Sequence, residues 1–207
     1  GSVRFDEKMK PSFEDAKFVI DYLLSNKNKY ASFVSNISYY YRKRADGSST
    51  LDGAWFNTNL FTRVLEEGCL KILNDAEKTF GYIPEYIQRT ALYHLYWYFG
   101  RIINNESNLS HLTNEEKEKF KSLVFAIFKR IDNKVIEAFN LGGAWFFHKV
   151  GFLGLFKKSE PTNQIVYIEK YDIQKDQMLV SFFSTSDCFE EYLLNNKECL
   201  PKYKKLV

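Results

Sequence analysis

The chain has 207 residues, 45% hydrophobic and 27% charged, which excludes a disordered polypeptide and is enough for one large or two small domains with a core. Its net charge of +3 comes from 29 basic and 26 acidic residues spread along the whole length, without the concentrated basic face of a nucleic-acid-binding protein. Cys69, Cys188 and Cys199 show no CxxC or CxxH spacing, so neither a disulfide framework nor a zinc site is indicated, and a reducing cytoplasm fits.

Gly1-Ser2 reads as a cloning remnant with no signal peptide behind it, and both ends read as cut from a longer protein. Ser12 is a suitable N-cap, with Asp15 completing an approximate capping box. Ala16, Val19, Ile20, Leu23 and Leu24 then recur at helical spacing, predicting a helix to about Asn26. Tyr30 to Tyr41, rich in β-branched and aromatic residues, predicts a strand, and Arg42 to Gly53 a basic, then Gly/Ser-rich loop. From Asn57 the period is helical. Phe61, Val64, Leu65 and Ile72 mark one helix ending near Gly81. A second starts at Pro84 and runs to about Asn105, apolar on most of its circumference and therefore expected to be central and buried. Thr113 and Glu116 form a capping box for a third, with the stripe Phe120, Leu123, Val124, Ile127, Phe128 and Ile131. Leu141 to Phe156 predicts a further, Gly-interrupted helix. Beyond Pro161 the pattern becomes strand-like over Gln164 to Tyr171 and Met178 to Phe183, with further short strands expected at Phe189 to Leu194 and around Tyr203.

The 14 Tyr, 19 Phe and 3 Trp have two readings. Aromatic faces stack on the apolar face of a pyranose, but a genome rich in A and T also favours Phe and Tyr codons, and the bias runs through the whole chain. Glu14 and Asp15, in the first turn of a predicted helix, favour the helix dipole without further purpose. Arg42, Lys43 and Arg44, followed by Ser48, Ser49 and Thr50, can hold a diphosphate through charge-assisted bonds, and they also suit an ordinary solvated loop. His94, His111 and His148 are far apart beside apolar helices and read as core or surface residues. Leu141 to Phe156 is too short to span a bilayer. It reads as a core or interface helix, with peripheral contact to a membrane as the alternative.

Taken together, Phe5 to Ala16 and the stretch Tyr39-Tyr40-Tyr41-Arg42-Lys43-Arg44, then Asp46-Gly47-Ser48-Ser49, about 25 residues later, resemble the end of the catalytic domain in bacterial family-2 glycosyltransferases of capsule and wall-polymer biosynthesis. The resemblance covers roughly residues 3–55. It continues more weakly through Ile83 to Gln88 and Leu95 to Phe99, which look like the helical extension of some members. The tail looks like a β module that follows the transferase in large capsule or teichoic-acid proteins.

The resemblance implies an α+β chain: a short α/β remnant of a GT-A domain (1–55), a mainly helical body (56–160) and a small antiparallel β tail (161–207). It makes Asp15 the general base, Glu14 its neighbour, and Arg42, Lys43, Arg44, Ser48 and Ser49 the donor-diphosphate contacts. The expected partners are a nucleotide sugar and a glycan acceptor, not a nucleic acid, and an oligomer is open. A divalent metal, Mn or Mg, is expected in the full-length enzyme, on an Asp-x-Asp motif upstream of this segment. No metal or other cofactor is expected in the segment itself, which should be inactive alone, and the location is cytoplasmic, at most peripheral on the inner membrane face. The rival reading is a non-catalytic helical module that holds protein partners or glycan.

Overall fold

The structure is a computed structural model, and it describes residues 3–26, 32, 34–38, 40, 53–183 and 190–205. The chain is α+β and mainly helical. It divides into two compact units, Gly1–Thr162 and Asn163–Val207, each taken by itself below.

The first unit is built of helices. Helix α1 (Glu14–Asn26) is followed by a 3₁₀ turn (Ala54–Phe56), α2 (Thr58–Phe61), a π-helical segment (Val64–Leu70) and α3 (Lys71–Phe80). The single helix expected from Asn57 to Gly81 is thus three segments: the chain breaks at Thr62 (φ −121°, ψ −78°) and widens into the π segment. Gly81 closes α3 in the left-handed conformation (φ 76°), its N–H bonded to the Glu77 carbonyl, where a Cβ would be strained. Helix α4 (Glu85–Ile102) starts after Pro84. Helix α5 (Asn114–Lys129) carries the expected Thr113/Glu116 capping box, and its whole predicted stripe is buried. Two short helices follow, α6 (Asn133–Ala138) and α7 (Phe146–Phe152), and α7 continues into a π turn (Leu153–Lys157).

One hydrophobic core unites these helices, from Met9 through Leu65, Leu92, Leu95 and Ile127 to Leu153. Helix α4 packs on α3, α5, α6 and the π segment. It is central but not buried all round: Ile87, Ala91, Leu92, Leu95 and Tyr98 face the core, while Tyr86, Tyr93 and Trp97 are exposed. Gln88 is the buried polar residue of this helix. Its side chain accepts the Asp132 N–H (2.7 Å) and donates to Asp132 Oδ2 (2.9 Å) and the Ile83 carbonyl (2.8 Å), tying the start of α4 to the start of α6.

The second unit contains the antiparallel hairpin of β1 (Tyr167–Asp172) and β2 (Gln177–Ser181), its register broken by a bulge between Ile168 and Lys170. A two-residue ladder joins β3 (Leu193–Leu194) to β4 (Lys197–Glu198). Tyr203 is in no strand. The strand expected over Tyr30 to Tyr41 lies partly outside the described residues, and those described within it, 32, 34–38 and 40, form none. No described helix is long and apolar enough to cross a membrane.

Candidate functional site

Glu14 and Asp15 occupy the first turn of α1, Glu14 half-buried and Asp15 exposed. What holds that turn in place differs from the sequence expectation. Ser12 is not the N-cap. The Phe13 carbonyl accepts the first helical bond, from Lys17 N–H at 2.9 Å. Asp15 Oδ1 accepts the adjacent Ala16 N–H (2.7 Å) rather than reaching back, and Ser12 Oγ is buried without a hydrogen-bond partner among the described residues. The reason is Phe13, whose φ of +77° turns the chain sharply into the helix. That region is costly for an aromatic residue, by about 1–3 kcal/mol, and persists only where packing demands it.

The packing is visible. Phe13 and Met9 are buried beneath α1. The Phe13 ring lies against Gly68 of the π segment, where a Cβ would come within 2.7 Å of Phe13 Cδ1 and 3.5 Å of Met9 Sδ. On its other side the ring meets the His94 imidazole, centroids 4.8 Å apart. His94 lies 3.2 Å through Nε2 from the Tyr98 hydroxyl, which donates to the Leu60 carbonyl at 2.6 Å. With its proton so used, the Tyr98 oxygen accepts from His94 Nε2–H, which fixes the neutral Nε2-protonated ring. Burial agrees, lowering the His94 pKa from 6.5 to about 4.

Helix α1 buries Phe13, Lys17, Ile20 and Leu24, with Val19 exposed. This stripe is rotated from the expected one, because Lys17 turns inward. Its ammonium lies 2.5 Å from Asp21 and 3.9 Å from Asp6, the pairing a buried cation needs. Lys17 was not foreseen as a site-building residue, and its i,i+4 spacing to Asp21 was the available signal. With Lys17 engaged there, neither Glu14 nor Asp15 has an ion-pair partner among the described residues. The result is an open carboxylate pair on a turn pinned from below by Phe13, Met9 and Lys17. Arg42, Lys43, Arg44, Ser48 and Ser49 lie outside the described residues.

Other polar groups have structural roles. A cleft of about 700 Å³ between the ends of α3, α4, α5 and α6 is lined by Glu77, Glu85, Arg130 and Lys134. Four of its charges are paired, Arg130 with Glu77 at 2.6 Å and Lys134 with Glu85 at 2.7 Å. His148 is buried and accepts the Trp145 N–H at Nδ1 (3.2 Å), its pKa lowered by burial. Among the described residues no three His, Cys, Asp or Glu side chains come together as a metal site.

The chain is similar to proteins of minor teichoic acid biosynthesis. The Minor teichoic acid biosynthesis protein GgaB of Bacillus subtilis (strain 168) is 27% identical over 209 residues, covering 96% of this chain and 22% of GgaB. The Minor teichoic acid biosynthesis protein GgaA of the same strain is 35% identical over 94 residues, covering 45% of this chain and 20% of GgaA. The match therefore covers about a fifth of the length of each relative. No protein-family model matches, and no solved structure does.

Proposed function

We propose that this chain is part of an inverting glycosyltransferase that extends a wall polymer of the teichoic acid type. It would hold the acceptor-side end of a family-2, GT-A catalytic domain and the helical extension behind it. The observation that carries the reading is the placement of Asp15: an exposed carboxylate without an ion-pair partner among the described residues, on a rigidly seated first helical turn. The similarity to teichoic acid biosynthesis proteins along nearly the whole chain supports it.

In this reading Asp15 accepts the proton of the acceptor hydroxyl as that oxygen bonds to the anomeric carbon, and the nucleoside diphosphate departs from the opposite face. An unassisted sugar hydroxyl is a poor nucleophile, and a base within hydrogen-bond reach removes much of that barrier. Glu14 sits beside the base and orients the acceptor. Arg42, Lys43 and Arg44, with Ser48 and Ser49, stabilise the charge that develops on the leaving diphosphate. The divalent metal is proposed to be held by an Asp-x-Asp motif outside this chain, and no step assigned here passes through it. The reaction runs on the cytoplasmic side.

Replacing Asp15 by Asn in the protein that carries the whole catalytic domain tests the reading: transfer is lost. The 207-residue chain alone, titrated with common sugar nucleotides and Mn²⁺, shows no binding tighter than about millimolar, a free energy of roughly −4 kcal/mol. Micromolar donor binding by this chain would contradict the division of labour.

A further inference from the structure

The outward face of α4 has no role in the site described above. Tyr86, Tyr93 and Trp97 recur on it at i, i+7 and i+11, 41%, 41% and 54% exposed. They span about 16 Å of helix at 1.5 Å per residue. Tyr93 and Trp97 stand edge to face, centroids 6.2 Å apart and planes at 87°, so ring surfaces stay open to solvent. Tyr93 is held from the side by the turn after α6: Gly142, in the left-handed conformation (φ 66°), lies where a Cβ would press within 3.2 Å of the ring. A helix that exposes flat rings with polar handles, rather than aliphatic side chains, is shaped for a ligand that is apolar on one face and hydroxylated at its edge.

Two arginines flank these rings. Arg89, one turn from Tyr86 and Tyr93, lies over the Phe139 ring at 5.3 Å and donates to Asn140 Oδ1 at 3.2 Å. Arg101, one turn past Trp97, lies over the Trp55 ring at 4.8 Å. Neither guanidinium has a carboxylate partner among the described residues, and each is held instead over an aromatic ring. Both are positioned by aromatic faces and keep uncompensated charge, the arrangement that suits a phosphodiester.

We propose that this strip binds a stretch of the polymer being extended: a chain of sugar or polyol units joined by phosphodiesters, with sugar faces on Tyr86, Tyr93 and Trp97 and phosphates on Arg89 and Arg101. The proposal rests on the acceptor-side reading above and names where the acceptor lies. His94, on the same turns of α4 as Tyr93 and Trp97, points instead to the core, where its ring meets Phe13.

The test is calorimetric titration of the 207-residue chain with a purified wall teichoic acid whose repeat contains a sugar, with neutral dextran and phosphatidylglycerol vesicles as comparators. Binding to the teichoic acid that weakens with salt and falls about tenfold in both Trp97→Ala and Arg89→Gln supports the strip. Trp97 is exposed and Arg89 half-buried, so melting curves of both variants are the control for folding. Binding by both variants as tight as that of the parent chain overturns it. Binding to the vesicles without binding to the polymer also overturns it and makes the face a membrane contact. The strip and the transfer reading fail separately: absent polymer binding by this chain sinks the first, and intact transfer by the full-length Asp15→Asn protein sinks the second.

Discussion

Phe13 and Gly68 are a matched pair, one holding a left-handed backbone and the other surrendering its side chain so that the ring can enter. Gly68→Ala places a methyl 2.7 Å from Phe13 Cδ1, where the π segment and the buried ring both resist movement. The expected loss is about 1–3 kcal/mol in urea denaturation, the cost of an overpacked core. His94 gives a second outcome. Its pKa is depressed to about 4 from 6.5, so between those values the unfolded chain binds more protons than the folded one. Stability from this residue is complete above about pH 6.5 and falls by roughly 3 kcal/mol as pH drops to about 4. The groups facing it are the Phe13 ring and the Tyr98 hydroxyl, neither of which titrates in that window. Unfolding free energies at pH 7 and 4.5 should therefore differ less in His94→Phe than in the parent chain. At this scale Glu14 and Asp15 were legible in the sequence, since two acids opening an apolar helix belong to its first turn. Ser12 misled, because a left-handed Phe13 cannot be read from residue types, and the N-cap moved with it.

The elements show the same boundary between local and tertiary information. The α5 capping box, the Gly81 stop and the β1–β2 hairpin depend on neighbours a few residues apart, and each forms as its sequence reads. Lys17 turns inward between Asp21 of its own helix and Asp6, eleven positions away, which meets it only in the fold. The π segment likewise meets Phe13 and Met9, from another part of the chain, at Gly68. The outward face of α4 was hidden by composition: where aromatics are abundant everywhere, an apolar circumference does not distinguish a buried helix from one that displays its rings. Between elements, the Gln88–Asp132 pairing yields a sharp expectation. Gln88→Ala leaves the Asp132 N–H and a carboxylate oxygen without their buried partner. The expected cost is about 1–3 kcal/mol, read as a lowered urea midpoint with the slope unchanged.

Across the molecule, the described members of the hydrophobic core run from residue 9 to residue 153, all in the first unit. Removing residues 163–207 should leave the melting temperature of the helical unit unchanged within error, and a large drop would show that the core is not self-sufficient. That helical unit seats Asp15, and the central claim is that Asp15 takes the acceptor proton. The most direct measurement is the transfer rate of Asp15→Asn in the full-length protein, paired with its donor affinity and melting temperature. Asn keeps the shape and the bond to Ala16 N–H but cannot accept a proton near neutral pH. The account predicts a rate lowered about 10²–10⁴-fold, or about 3–5 kcal/mol of barrier, with donor affinity and melting unchanged. A variant that folds normally and transfers sugar within about threefold of the parent would contradict it.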